Sequence, residues 1–436
     1  MPKDLPAWLS YIESLHPKAI AMGLERVKRM VERLNLQPTF SIITVAGTNG
    51  KGSTCAMLAQ IYQQAGYQVG SYSSPHLLRY NERVKVNGVE ASDADLCKAF
   101  AVVDGARNQD DVIALTYFEV GTLAAIWHFV QTKLDVVILE IGLGGRLDAV
   151  NAFEPDCAIV TSVDLDHQEF LGDTREEIGF EKAGVYRANT PAICGDAHPP
   201  ASLVAHANHI KADFKCIKQD FDYQSAHGLW QFSMFGQVRY TLPQPALKGD
   251  YQLSNAACAI SAVEALQLKL PVKEIAIAGA MQQVVLAGRF QTLNRPPEQH
   301  FQVILDVAHN PHAAIALAEN LKAHRQSGAK TYAVFAMLAD KDIHGVIAAV
   351  KNEIDVWYVA NIDHVRGARA ATLAKHIATL NPSAIIYQFD TITQAFAQAC
   401  ADIEACKDTH ENDKIIAFGS FFTVSAVMQS AGVVKS

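Results

Sequence analysis

The stretch FSIITVAGTNGKGSTCAMLAQ, residues 40–60, constrains this chain more than any other. An apolar run suited to a buried strand, Phe40 to Val45, meets a glycine-rich turn carrying a lysine. After Ser53 an amphipathic helix is expected, with Met57, Leu58, Ile61, Tyr62 and Ala65 on one face and Gly66 as its stop. Glycines let the backbone curl so that successive N–H groups face an anion, Lys51 adds a mobile charge, and the helix start adds its dipole. A nucleotide polyphosphate fits such a turn. The strict GxxxxGK[ST] pattern is not met, because Gly52 stands between Lys51 and Ser53 and Val45 occupies the place of the first glycine.

Short apolar runs alternate with helix-period segments along most of the chain, the signature of parallel strands joined by crossover helices, so the fold is expected to be α/β. Further strands are expected at Val136 to Ile141, Ala158 to Val163 and Ala192 to Cys194, and a helix after Glu119 with Val120, Leu123, Ala124, Trp127 and Val130 on its buried stripe. Adjacent prolines among polar residues at 294–300 mark a hinge, which divides the chain into domains 1–294 and 300–436. Beyond it a second, smaller α/β alternation is expected: strand Phe301 to Val307, helix from Pro311 with Asn310 as N-cap, strands Tyr332 to Leu338 and Val356 to Val359, a helix near Thr372, and strand Ile415 to Phe418. The segment His198 to Pro245 is expected to be rich in strands.

Composition narrows the function classes. Half of the 436 residues are hydrophobic and 19% are charged, which suits large cores rather than disorder. The net charge of −8 offers no positive field for a nucleic-acid backbone, so no nucleic-acid partner is expected. The eight cysteines form no C-x-x-C pair, which signals neither a zinc site nor a disulfide framework. No apolar run approaches ~18 residues and the N-terminus lacks a signal-peptide core, so no membrane association and a cytoplasmic location are expected.

Polar groups at strand exits single out candidate chemistry. Glu140 ends the apolar run DVVILEIG where an open α/β sheet meets its ligand, and a carboxylate there calls for a cation such as the Mg²⁺ that accompanies a nucleotide. His167 follows another exit beside Asp164 and Asp166. Lys182, in GFEKAGVYR, has only the base-rate reading of an exposed helix lysine. The cluster from Gly142 to Arg146 lacks dinucleotide-fingerprint spacing and is either a tight turn or a substrate-contacting loop. In the second domain Asp306 and His309 sit at a strand exit, which suggests a cleft between domains with the hinge able to open and close it.

In order along the chain occur GTNGKGS, YSSPHLLRYNERV, TYFE, EIGLGGRLDA, LDHQEFLG, EKAG, GRFQ and DVAHNPH. Together they resemble the folylpolyglutamate synthase family, and in particular its bifunctional dihydrofolate synthase/folylpolyglutamate synthase branch, across nearly the whole chain. That family belongs to the Mur-ligase-like amide synthetases. The resemblance implies a P-loop NTPase-like parallel-sheet domain followed by a smaller Rossmann-like domain supplying glutamate-binding groups. It implies ATP contacts from Gly47, Thr48, Asn49, Gly50, Lys51, Gly52 and Ser53, with Asn255, Arg289 and Asp306. It implies Mg²⁺ ligands at Ser74, Glu140 and His167, and at Lys182 once its amine is carbamylated. It places pterin contacts at Ile20, Ala21 and Met22, at Thr116, Tyr117, Phe118 and Glu119, and at Leu147, Asp148 and Ala149, with His309 as a further substrate contact. Lys51, Lys182 and His167 carry the catalytic expectation.

The activity so implied is ATP-dependent addition of L-glutamate to dihydropteroate and to reduced folates through an acyl phosphate, by a monomer with ATP and Mg²⁺. One departure matters: relatives in the bifunctional branch tend to carry an aspartate where this chain has Ala21 in KAIAMGLERV, which leaves a monofunctional folylpolyglutamate synthase as an alternative. A Mur-type amino-acid ligase is a second alternative, but only about 45 residues precede Gly47, too few for a preceding nucleotide-sugar domain. A nucleotide switch without catalysis is a third, and it has no need of Asp306 and His309.

Overall fold

The computed structural model describes residues 2–18, 20–109, 111–226, 228–293, 301–405 and 412–432. The chain forms two compact units that divide between Val284 and Val285, with Leu247–Tyr251 grouping with the second. The hinge expected at 294–300, and Cys406, lie outside the described residues.

The first unit is built on β1 (Ser41–Ala46), β2 (Val69–Tyr72), β3 (Val84–Val86), β4 (Val89–Glu90), β5 (Val136–Glu140), β6 (Cys157–Val160), β7 (Pro191–Cys194) and β8 (Asp213–Cys216). They form one sheet in the order β4-β3-β2-β5-β1-β6-β7-β8. The strands from β2 to β8 in that order run parallel, while β3 and β4 pair antiparallel at one edge. A parallel strand covered on both faces needs apolar residues throughout, which is why β1 and β5 are buried at every position. The helix after β1 spans Lys51–Gln64, opening at Lys51 rather than after Ser53 as expected.

Segment 198–245 corrects its expectation in part. It opens with the helix Ala201–His209, and β8 belongs to the main sheet. Then β9 (Phe221–Ala226), β10 (Leu229–Met234) and β11 (Gln237–Pro243) make a separate antiparallel sheet. Its second turn places Phe235 at φ 52° and Gly236 at φ 74°.

The second unit holds β12 (Gln291–Thr292), β13 (Gln302–Leu305), β14 (Thr331–Phe335), β15 (Val356–Ala360), β16 (Ile385–Phe389) and β17 (Lys414–Phe418). The order is β12-β13-β17-β14-β15-β16, parallel except for β12. The helix Pro311–Ala323 begins as the sequence indicates, with Asn310 Oδ1 accepting the Ala313 N–H at 2.9 Å. Among the described residues no helix is long and apolar enough to cross a membrane.

Candidate active site

The glycine-rich loop joins β1 to the helix Lys51–Gln64 and is held in place by residues 161–162, which follow β6. Thr161 Oγ donates to Asn49 O at 2.6 Å, Ser162 Oγ accepts the Asn49 N–H at 3.1 Å, and Thr48 N donates to Ser162 O at 2.8 Å. Two glycines permit this closeness. Gly47 has φ +143° and a Cβ there would lie 1.9 Å from Thr161 Oγ; Gly50 has φ +88° and a Cβ there would lie 2.3 Å from Asn255 Oδ1. Lys51 folds back on the loop, donating to Gly47 O at 3.0 Å and Thr48 O at 3.2 Å. These carbonyl contacts hold the ammonium over the turn. We expect Gly47→Ala to cost at least about 2 kcal/mol of stability through combined backbone strain and overlap. It is also expected to weaken ADP binding more than tenfold; calorimetric titration and thermal melting check both.

Glu140 closes β5 one strand from the loop, opposite Val45, and is buried. Its Oε2 accepts the Ser74 N–H at 3.2 Å, so the two residues sit together. The charges of Glu140 and Lys51 both reach Cys55 on the helix beneath, although burial is what chiefly raises that thiol. His167, in the left-handed region at φ 51°, precedes the short helix Gln168–Leu171, and its Nε2 lies 3.8 Å from Asp166 Oδ2. Lys182 corrects its base-rate reading as an exposed lysine: it is 4% exposed near the end of the helix Arg175–Ala183. Burial first, and then the charge of Lys51, push its amine down to about 7, with Asp166 and Asp148 pulling the other way. A lysine of this kind is a nucleophilic amine near neutral pH.

The glycine cluster is a loop gripped from two sides. Both oxygens of buried Asp148 accept backbone N–H groups, from Gly142 at 3.1 Å, Leu143 at 2.9 Å and Val150 at 3.0 Å. Desolvation still outweighs these bonds and pushes Asp148 up to about 7. Gly145 packs on the end of the Lys182 helix, where a Cβ would lie 2.8 Å from Glu181 O. The three segments expected to contact a pterin converge here. Gly23 N donates to Leu147 O, a Cβ on Gly142 would meet Phe118 Cζ at 2.6 Å, and a Cβ on Gly144 would lie 3.7 Å from Met22 Cε. Ile20 is 38% exposed. Thr116 and Glu119 form a reciprocal cap on the helix Tyr117–Val130, and Ala149 opens a single 3₁₀ turn capped by Asp148.

The sequence reading missed residues that organise this region. Arg26 bonds buried Glu119 at 2.8 Å and donates to Ala21 O at 2.6 Å, tying the N-terminal loop to that helix. Arg83 lies over the rings of Tyr80 and Tyr117, at 5.2 and 5.5 Å, and donates to His76 Nδ1 at 2.9 Å. Burial and then the Arg83 charge push His76 down to about 4. The string YSSPHLLRYNERV carried both His76 and Arg83, the only signal available for them.

Comparison with known proteins now bears on this geometry. Residues 45–263 match the Mur ligase middle domain, and residues 288–421 match the Mur ligase glutamate ligase domain. The dihydrofolate synthase/folylpolyglutamate synthase of Escherichia coli is 44% identical over 426 residues, covering 98% of this chain and 95% of that protein. The chain belongs to the dihydrofolate synthase/folylpolyglutamate synthase family. The Haemophilus influenzae member is 38% identical over 435 residues, covering 97% of this chain and 96% of that one. The structure of E. coli FolC in complex with DHPP and ADP is 43% identical, covers 99% of this chain and 98% of its own, and superposes with a TM-score of 0.90. A bifunctional folylpolyglutamate synthase/dihydrofolate synthase with Mn, AMPPNP and L-glutamate bound is also 43% identical, covers 98% of each chain, and has a TM-score of 0.88.

In this member of the family the second unit gathers a second polar cluster. Asp306, buried at the exit of β13, accepts N–H groups from Phe290 at 2.9 Å and Ala308 at 2.8 Å. Burial raises its carboxyl, while the neighbouring Arg289 lowers it. Arg289 lies over the Phe421 ring at 5.7 Å, and His309 stands 6.3 Å from the same ring with Nδ1 2.8 Å from Val307 O. Asn255 belongs to the first unit, on the helix Tyr251–Ala265, where its Nδ2 donates to Gln252 Oε1 at 2.9 Å.

The divalent ion the family implies fits the donors present. Glu140 offers hard carboxylate oxygens beside Ser74, whose backbone N–H donates to Oε2 at 3.2 Å. That suits Mg²⁺, which takes one or two protein carboxylates and completes its shell with water and phosphate.

Proposed function

We propose that this chain is an ATP-dependent acid–amino-acid ligase that joins L-glutamate to dihydropteroate, making dihydrofolate, and to reduced folates, lengthening their glutamyl tail. The observation that carries the reading is the 44% identity to the E. coli enzyme over 98% of the chain.

A carboxylate resists direct attack by an amine because its leaving group is poor. In the proposed reaction a carboxylate oxygen attacks the γ-phosphorus of ATP, the bond to the β–γ bridging oxygen breaks, and ADP departs. The glutamate nitrogen then attacks the acyl carbon, the amide forms, phosphate leaves with the transferred oxygen, and the nitrogen gives up a proton. Residues Gly47 to Ser53 cradle the phosphates, and Lys51 turns from its loop carbonyls to the transferring group as charge builds there. Asn255, Arg289 and Asp306 complete the nucleotide contacts, and His309 contacts substrate. Ser74, Glu140, His167 and the carbamate of Lys182 would hold Mg²⁺, which supplies neutralisation of phosphate charge. The pterin lies against Ile20 to Met22, Thr116 to Glu119 and Leu147 to Ala149. The enzyme acts as a cytoplasmic monomer on small molecules.

An acceptor enriched in oxygen-18 at its carboxylate tests the handover: one heavy atom is expected in each phosphate released. Phosphate free of the label would refute the acyl-phosphate route. A monofunctional folylpolyglutamate synthase is the second reading, favoured by Ala21, whose side chain offers a pterin no acceptor and whose carbonyl is taken by Arg26. Turnover with tetrahydrofolate but none with dihydropteroate would select it.

A further inference from the structure

Residues 20–24, which include the N-terminal segment Ile20 to Met22 of the proposed pterin site, form neither helix nor strand, and none of the five is buried. A loop without a buried side chain has little packing to fix it, so its position depends on hydrogen bonds to its neighbours. Gly23 N donates to Leu147 O at 3.4 Å, and the Arg26 guanidinium donates from Nη2 to Ala21 O at 2.6 Å. The first bond is long. The second is short and charge-assisted, which makes it the stronger tie.

Arg26 is itself held. It stands in the first turn of the helix Glu25–Arg33, with Nη2 2.8 Å from Glu119 Oε1 and Nε donating to Oε1 at 3.0 Å and to Oε2 at 3.3 Å. Glu119 is 3% exposed and is fixed in turn by the helix that it starts, its Oε2 accepting the Thr116 N–H at 2.7 Å. Both oxygens of this buried carboxylate are therefore engaged by protein donors, and Arg26 is the cation that lets it stay charged. One planar guanidinium serves carboxylate and carbonyl together, which the compact ammonium of a lysine does not reproduce.

Ala21 gives this tie its consequence. A methyl group offers a heterocycle no hydrogen bond, so the polar recognition available from residue 21 is that of its main chain, and main-chain groups select a ligand only where their place is fixed beforehand. We propose that Arg26 and Glu119 are positioning residues for the acceptor: Glu119 holds Arg26, Arg26 holds the loop, and the main chain of the loop forms one wall of the pterin site. The inference rests on the ligase reading. In it the carboxylate of Glu119 acts on the acceptor through Arg26.

The test uses the full chain with Arg26→Lys, which keeps a positive charge beside Glu119 and loses the fork, and with Arg26→Gln and Glu119→Gln combined, which leaves no buried charge unpaired. Loss of one charge-assisted contact is expected to raise the acceptor KM about tenfold in each variant, with kcat and the KM values for ATP and L-glutamate unchanged. An unchanged acceptor KM, or an equal rise in the KM for ATP, overturns the proposal. Hydrogen exchange reads the tie without turnover: amides of residues 20–24 should exchange faster in Arg26→Lys while those of the helix Tyr117–Val130 keep their protection, and equal exchange in the loop overturns it. A wild-type chain that ligates neither dihydropteroate nor tetrahydrofolate refutes the ligase reading and still leaves the pair open to judgement. Calorimetry with dihydropteroate and ADP then decides, since binding that Arg26→Lys weakens supports the positioning role and binding equal to wild type overturns it.

Discussion

Lys51→Ala is expected to lower ligase turnover at least about a thousandfold while leaving the fold intact, because in the proposed reaction its amine is the charge that meets the transferring phosphoryl group. The loop keeps its shape without that side chain. Thr48, Asn49, Thr161 and Ser162 hold it through their own hydrogen bonds, and the carbonyls of Gly47 and Thr48 that Lys51 now occupies can turn to water. Circular dichroism and melting should therefore match the wild type, whereas phosphate release in the presence of acceptor and glutamate should disappear. There is a second readout. The Lys51 charge helps to depress the Lys182 amine, so its removal should shift Lys182 upward. A Lys51→Ala protein within tenfold of wild-type turnover would contradict the placement of ATP at this loop.

Lys182→Met is expected to cost a similar factor in turnover, by a different route. A neutral amine adds to CO₂ with formation of an N–C bond and loss of one proton, which turns a cation into an anion able to hold a metal ion. Burial brings the amine down to about 7, so the reactive neutral form becomes dominant as pH passes through neutrality. Protein equilibrated with ¹³C-bicarbonate should accordingly show more carbamate signal at pH 8 than at pH 6, and none in the variant. Absence of label in an active wild-type enzyme at pH 8 would remove the carbamate from the mechanism. Stability supplies a check independent of turnover. Because the folded amine titrates below its unfolded value, the folded state holds fewer protons between about 7 and the ordinary lysine range, and wild-type stability rises with pH across that window. Below pH 7 the buried charge is a full penalty, so Lys182→Met should melt higher than wild type there.

What the sequence disclosed and what it hid divide along physical lines. The strand, loop and helix from Ser41 to Gln64 were legible because full burial demands an unbroken apolar run and close approach demands glycine. Glu140 stood out as a carboxylate in such a run. By contrast β16 was missed, since an edge strand with Ile385 half exposed has no such pattern, and the helix Ala201–His209 was hidden in a region whose aromatics suggested strands. Lys182 was invisible as a buried group because its burial comes from tertiary packing, with Gly145 set against the end of its helix across 37 residues of chain. Arg26 and Glu119 meet across 93 residues of chain, a separation that no local spacing rule reaches.

The hairpin turn at Phe235 and Gly236 has a practical consequence. It belongs to a sheet separate from both parallel sheets, and nothing stands within 4 Å of where a Gly236 side chain would begin. A fluorophore attached at the exposed Phe235 position of that tip, leaving Gly236 in its left-handed conformation, would give a handle for surface immobilisation and single-molecule work.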